Sequence, residues 1–238
     1  IALPSMLDIL SRNYAYHNKS VKLYELAKIY LPTEGETLPR EPKMLVLGTY
    51  GANETFFTLK GELEAILVGL NMPKASYRAV KDNPSFHPGR CAMVSVAGVE
   101  LGYMGQVHPL VCKNYGIDTE VYCVEIDFSK LFTLRLLDPT FKPLPKYPAV
   151  TRDLALVCDE EITVAQAEDA ITASAGKLLR GIRLFDIYRG VGVAEGKKSM
   201  AFSLELRADD RTLNDQDSEA VVSKVLAALK EKLNATLR

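Results

Sequence analysis

Residues 181–208, GIRLFDIYRGVGVAEGKKSMAFSLELRA, decide the fold of the second half of this 238-residue chain. The stretches GIRLFDIYRG and KKSMAFSLELRA each predict a long β-strand, because apolar residues recur at about every second position. The glycine-rich segment VGVAEG between them predicts a turn. The three segments together indicate a β-hairpin.

A predicted helix lies on each side of this hairpin. Upstream, Thr163 offers an N-cap with Gln166 three residues later, and Gly176 ends the helix. Downstream, Asn214 and Asp217 form a second N-terminal capping pair. The apolar face of the second helix comprises Val222, Val225, Leu226, Leu229 and Leu233.

Two further strands complete the pattern, DLALVCD at 153–159 and the short ATLR at 235–238. The resulting order β-α-β-β-α-β is that of a ferredoxin-like fold. Its four strands carry both helices on one side. The other face of the sheet is therefore predicted to be free.

The first half of the chain predicts a separate domain. A proline-rich stretch at 136–148 predicts a linker, so we place the domains at 1–143 and 144–238. The first domain has a helix at 5–17, strands at 22–31 and 43–50, and an amphipathic helix at 56–70. A hairpin around Ala97-Gly98 and a strand at 121–128 follow. The whole chain is predicted to be α+β, with a mostly antiparallel first sheet.

Composition excludes several classes of protein. The net charge of −1 provides no global field for nucleic acid, so any RNA contact needs a local basic patch. No apolar run approaches the roughly 20 residues that span a bilayer, and no charged segment with a small-residue cleavage site opens the sequence. We therefore expect a cytoplasmic protein without a membrane partner. The four cysteines form no CxxC and are expected to be reduced and buried. The first residue, Ile1, weakly indicates a fragment of a longer chain.

The free sheet face can be read from the alternation of side chains along each strand. Met200 and Phe202 are predicted to face the core, as are Phe185 and Ile187 in the preceding strand. The residues that alternate with these core positions face outward, and they are Ala155, Asp186, Tyr188, Ser199 and Ala201.

The outward set is flat and small except at the ring of Tyr188. Aromatic rings stack on unpaired RNA bases, and the Asp186 carboxylate would accept hydrogen bonds from adjacent donors such as guanine N1–H and N2–H₂. The alternative is that Tyr188 merely covers the sheet while Asp186 pairs with a neighbouring arginine. Residue pattern alone leaves both interpretations open.

Other candidate sites are weaker. Basic residues that could reach RNA phosphates are Arg180, Arg183, Arg189, Lys197, Lys198 and Arg211. The run GVGVAEGKKS at 190–199 fails the spacing of a phosphate-binding P-loop. His87 and His108 precede prolines without further ligands at metal-site spacing, so no metal site and no catalytic residue is predicted.

Several motifs resemble the β subunit of bacterial phenylalanyl-tRNA synthetase. KYPAVTRDLALVCDEEITV, KLLRGIRLFDIYRG and EGKKSMAFSLELRADDRTLND resemble its ferredoxin-fold anticodon-binding domain over 146–238. FHPGRCAMVSVAGVELGYMGQVHPLVCKNYGI, VYCVEIDF and LYELAKIYLP resemble its class II synthetase-like module. The resemblance covers nearly the entire chain.

The resemblance implies the C-terminal third of such a subunit, with the editing domain upstream of Ile1. The family positions that contact the first anticodon base, a guanine, fall on Ala155, Asp186, Tyr188 and Ser199. The partners would be tRNA-Phe and the α subunit, in a heterotetramer of two α and two β chains.

The resemblance also implies that this part of the subunit is non-catalytic. Class II catalysis requires RxE and GxGxGxxR motifs, and neither string occurs in the sequence. No cofactor is expected in this fragment, whereas ATP and Mg²⁺ would serve the whole enzyme. Two alternatives remain, a ferredoxin-like regulatory module that binds a small molecule and a pure interaction scaffold.

Overall fold

The computed structural model describes residues 1–136, 141 and 143–238. The chain divides into two compact units, Ile1–Thr140 and Phe141–Arg238. The predicted boundary at 143 lies close to this division. Residues 137–140 and 142 of the predicted linker lie outside the described residues.

The first unit is an antiparallel sheet with helices. Its elements are α1 (Leu3–Ala15), β1 (Val21–Lys28), β2 (Lys43–Tyr50), α2 (Phe56–Gly69), β3 (Ala75–Ala79), β4 (Phe86–Val96), β5 (Val99–Val107), α3 (Pro109–Asn114), β6 (Val121–Asp127) and α4 (Phe128–Thr133). The strand order is β1-β2-β6-β5-β4-β3, with antiparallel pairing throughout.

Both faces of this sheet are covered by apolar clusters. One cluster includes Met6 and Leu10 of α1 with Val46 of β2, and the other includes Leu63 of α2 with Leu47 of β2. The covering of both faces explains why β2 is buried along nearly all its length and why β6 is buried throughout.

The structure refines the sequence-based prediction of the first unit. The predicted hairpin is present, and both turn residues have positive φ, 49° at Ala97 and 79° at Gly98. The first strand ends at Lys28 rather than at residue 31. Strand β3 and the short helices α3 and α4 were not predicted, because each has only five or six residues and too short a periodic pattern.

The second unit has the predicted ferredoxin-like fold. Its elements are β7 (Val150–Asp159), α5 (Val164–Ala175), a 3₁₀ turn (Gly176–Leu178), β8 (Leu179–Tyr188), β9 (Lys197–Leu206), α6 (Asp215–Leu233) and β10 (Thr236–Leu237). The strands lie in the antiparallel order β10-β7-β9-β8. Both predicted capping boxes are present, Thr163 with Gln166 and Asn214 with Asp217.

One face of this second sheet packs against α5 and α6. Leu156 of β7 and Phe202 of β9 meet Ile171 of α5 and Leu229 of α6, and none of the four is more than 1% exposed. The opposite face, here called the outer face, is not covered by either helix. The predicted free face is therefore present.

A β-bulge in β8 corrects part of the strand prediction. Leu184 pairs with Phe202, but Asp186 pairs with Ala201, so Phe185 is an extra residue. Phe185 was predicted to be inside, yet it is 50% exposed. Ile187 was also predicted to be inside, and it pairs with core residue Met200, but it is 37% exposed because β8 is an edge strand.

Other sequence-based expectations can be compared with the described residues. Cys91, Cys112, Cys123 and Cys158 are all free and buried, as predicted. Burial in apolar surroundings raises the pKa of the Cys91 and Cys112 thiols to about 11, which keeps them protonated at neutral pH. Among the described residues, no helix is long and apolar enough to cross a membrane.

Candidate nucleic-acid interface

The outer face brings the predicted residues into two neighbouring rows across three strands. In one row, Ala155 of β7 pairs with Ala201 of β9, which also pairs with Asp186 of β8. In the next row, Ser199 of β9 pairs with Tyr188 of β8. Directly opposed residues of antiparallel strands point to the same side, so these side chains share one surface.

The bulge accommodates the extra residue Phe185, so that Asp186 and Tyr188 lie on this surface. Leu184 faces the core opposite Phe202, and regular alternation from Leu184 would put residue 186 opposite Met200 on the core side. The extra residue reverses the alternation. Bulges commonly redirect side chains next to functional sites in this way.

The carboxylate of Asp186 is exposed and available. Among the described residues, its side chain has no hydrogen-bond or ion-pair partner. The alternative interpretation, in which Asp186 pairs with a neighbouring arginine, is therefore wrong for this structure. A free carboxylate can accept two donors side by side, which matches the N1–H and N2–H₂ edge of guanine.

Tyr188 is 36% exposed, and its hydroxyl donates to the carbonyl of Val191 at 3.3 Å. Gly190 allows the loop to approach the ring, since a Cβ there would lie 2.9 Å from the Tyr188 hydroxyl, and its φ is 152°. The hydrogen bond and the close loop hold the ring in place. A fixed ring makes a better stacking platform than a mobile one, because less conformational entropy is lost on binding.

Ala155 and Ser199, the two small residues of the predicted contact, differ in their exposure to solvent. Ala155 is half-buried, and its carbonyl accepts the backbone N–H of Arg238 at 2.9 Å. Ser199 shares the outer face but is only 3% exposed, so most of its surface is inaccessible. A direct contact from Ser199 remains a prediction that would require neighbouring side chains to move.

Most of the predicted basic residues are already ion-paired. Arg189 makes a bidentate contact with Glu160, with Nη2 to Oε1 at 2.6 Å, which lowers the pKa of that carboxyl. Lys197 pairs with Asp159 at 2.9 Å, and Arg180 pairs with Asp209 at 2.6 Å. Arg211 pairs with Asp210 and Asp217 at 3.3 and 3.2 Å. Exposed pairs of this kind are weak because solvent screens them, so they can exchange for a phosphate at little cost.

Lys198 is buried, whereas Arg183 is exposed and unpaired among the described residues. Lys198 is 7% exposed and its Nζ donates to the Glu160 carbonyl at 2.7 Å, so its burial argues against the predicted phosphate contact. Arg183 is exposed, pairs with Ser203 on the outer face, and has no side-chain partner among the described residues. Arg183 is therefore the predicted cation most available to RNA.

The histidines have local roles. The His108 ring accepts the Leu110 N–H at 3.2 Å and caps α3, and the His87 ring accepts the Gly89 N–H at 3.0 Å. Within the ranges that the structure describes, no group of three or more His, Cys, Asp or Glu residues could hold a metal ion.

Sequence reasoning missed one residue of the outer face. The guanidinium of Arg238 lies 4.8 Å from the centroid of the Tyr188 ring, although ATLR was interpreted only as a closing strand. The two residues are 50 positions apart in the sequence. Tyr188 ends the edge strand β8, and Arg238 directly follows the opposite edge strand, β10. No local pattern could have indicated this contact.

Comparisons with known proteins place both units in one family. Residues 1–128 match the family model described as the phenylalanyl tRNA synthetase beta chain CLM domain, and residues 145–238 match the ferredoxin-fold anticodon binding domain. The phenylalanine–tRNA ligase beta subunits of Clostridium acetobutylicum and Bacillus subtilis are 40% and 36% identical to this chain, over 99% of its length. The chain spans about 30% of the first of these relatives and 31% of the second. The chain thus belongs to the phenylalanyl-tRNA synthetase beta chain family.

Proposed function

We propose that this chain is the anticodon-binding and scaffolding part of a phenylalanine–tRNA ligase β subunit. The complete enzyme would charge tRNA-Phe with phenylalanine in the cytoplasm, using ATP. The observation that carries the proposal is the unpaired Asp186 carboxylate beside the ring of Tyr188 on the outer face. The family membership supports it.

The first anticodon base, a guanine, binds on this surface. Its ring stacks on Tyr188 while its Watson–Crick edge donates N1–H and N2–H₂ to Asp186. Ala155 and Ala201 lie in the same row as Asp186 and have side chains too small to obstruct a flat base. Adenine presents an acceptor at N1 and no N2 amino group, so the carboxylate would repel it.

The first unit serves as a class II synthetase-like scaffold for the α subunit. Its support is the six-stranded antiparallel sheet with helices on both faces and an uncovered surface on β1, the edge strand. Tyr24 and Leu26 of β1 are 75% and 54% exposed, and Tyr30 beyond it is 63% exposed. Adjacent exposed apolar side chains of this kind are typical of protein interfaces. ATP and Mg²⁺ would bind in the α subunit, within an assembly of two α and two β chains.

The guanine contact can be tested with a synthetic tRNA-Phe anticodon stem-loop and the 238-residue chain. We expect Tyr188→Ala to weaken binding by about 5- to 140-fold, because base–aromatic stacking contributes about 1–3 kcal/mol. Tyr16→Ala is the matched control, since Tyr16 is an 81% exposed tyrosine of the first unit. A stem-loop with adenine at the first anticodon position should bind more weakly than the guanine form. Equal affinity for both RNAs, with no effect of Tyr188→Ala, would reject the proposal.

A further inference from the structure

Arg238 occupies the site where a stacked base would lie. Its guanidinium is 4.8 Å from the centroid of the Tyr188 ring, which is the geometry of a cation–π contact. Its side chain has no carboxylate partner among the described residues. The nearby cations Arg189 and Lys197 do have such partners, Glu160 and Asp159.

The backbone of Arg238 is held by a strand hydrogen bond, whereas among the described residues its side chain has no ion-pair partner. The Arg238 N–H donates to the Ala155 carbonyl at 2.9 Å, which fixes the residue at the edge of the outer face. One guanidinium nitrogen passes 3.7 Å from the position that a Cβ on Gly192 would occupy. A long side chain on a fixed backbone can rise from the ring by the thickness of one base without unfolding any strand.

We propose that Arg238 is a further base-binding residue, whose guanidinium forms the second wall of a slot that holds a purine of single-stranded RNA against Tyr188. The proposal rests on the proposed function and extends it. In the RNA-free protein the guanidinium carbon lies 4.8 Å from the centroid of the ring. When the base enters, it separates them and is enclosed on both faces, by a phenol ring below and a guanidinium above.

The chemistry of the two groups supports a slot rather than a simple cover. A guanidinium is planar, weakly hydrated and always charged, and it stacks on nucleobases as it does on aromatic rings. A lysine ammonium lacks the plane and is strongly hydrated. The slot therefore requires arginine specifically, whereas a phosphate contact would accept either cation.

The test compares Arg238→Ala and Arg238→Lys with the unchanged chain, using the tRNA-Phe anticodon stem-loop over a range of salt concentrations. We expect Arg238→Ala to weaken binding about tenfold and Arg238→Lys to recover less than half of that loss on a logarithmic scale. The slope of log K against log salt should change by less than the roughly 0.7 expected for one lost single-strand phosphate contact. Lys224→Ala is the charge-matched control, because Lys224 is exposed on α6 away from the outer face.

A second readout follows stacking directly. A stem-loop with 2-aminopurine at the first anticodon position keeps the 2-amino group but lacks N1–H, so it should bind more weakly than the guanine form. At saturating protein it should still lose fluorescence by stacking, and Arg238→Ala should reduce that loss. Full recovery of affinity by Arg238→Lys, with a slope change near 0.7 for Arg238→Ala, would show a phosphate contact and overturn the slot. Unchanged or tighter binding by Arg238→Ala would show that Arg238 only covers the ring in the free protein, and this result would also overturn the slot.

Tyr188→Ala separates this inference from the proposed function. If Tyr188→Ala loses affinity and guanine preference while Arg238→Ala does not, the slot fails and the anticodon contact stands. If Tyr188→Ala binds like the unchanged chain, the proposed function fails and the slot fails with it. Thermal unfolding of each variant checks that the fold is intact.

Discussion

Removing Phe185 would remove the bulge without turning the binding residues over. In the present register Leu184 pairs with Phe202, and Asp186, Ile187 and Tyr188 pair with three consecutive residues that begin at Ala201. Deleting Phe185 joins Leu184 directly to Asp186 and leaves all of these pairs regular. We therefore expect the deletion variant to fold and to keep Asp186 and Tyr188 on the outer face.

The energetic cost follows from the exposure of Phe185. A phenylalanine buries about 200 Å² when fully covered, and 50% exposure leaves roughly half of that buried. At about 25 cal/mol per Å² the lost burial is at most about 2.5 kcal/mol, and the restored ladder hydrogen bonds offset part of it. A net loss of about 1–2 kcal/mol would lower Tm by roughly 4–16 °C for a domain of this size.

The assay is stem-loop binding combined with thermal unfolding. The deletion of Phe185 should keep affinity within about threefold, and Phe185→Ala, which retains the bulge, should do the same. Deleting Ile187 instead brings Tyr188 opposite core residue Met200, so RNA binding should fall by at least about fivefold, the lower limit for one lost stack. If the Phe185 deletion remains folded but binds more than tenfold more weakly while Phe185→Ala does not, the bulge acts through strand twist, and the alternation argument is refuted.

Three further outcomes are expected. Asp186→Asn should reduce the preference for guanine over inosine, which lacks the N2 amino group, by about tenfold, whereas Asp169→Asn on α5 should leave it unchanged in the same competition assay. In urea unfolding, Leu229→Ala should cost about 2–5 kcal/mol because the side chain is fully buried, and an effect below 1 kcal/mol would contradict the assigned core. The hydroxyl of Tyr122 and the guanidinium of Arg90 hold the pKa of Glu120 below its ordinary value of 4.5. The ionised Glu120 carboxylate therefore contributes its full stabilisation above pH 4.5, and this contribution is lost as the pH falls through the lowered pKa. Glu120→Gln should therefore make the free energy of unfolding less dependent on pH below 4.5. An unchanged pH dependence in this range would contradict the proposed role of Glu120.

Sequence alone determined the features that depend on neighbours in the chain. The order of strands and helices in the second unit, both capping boxes and the Ala97-Gly98 turn were predicted, because each is encoded within a few consecutive residues. The resemblance of the motifs to one family, and with it the guanine-binding hypothesis, also required no coordinates.

Tertiary structure decided which side chains are accessible and what they contact. The bulge in β8 could not be known without the register of this strand against β9, since one extra residue exchanges the two faces. The partner of Arg189 is 29 residues away and the arginine over Tyr188 is 50 away, so both contacts arise only when the strands assemble. Residue types identified the surface, whereas the pairing of distant strands determined that Asp186 is free, that Ser199 is covered and that Arg238 lies on the ring.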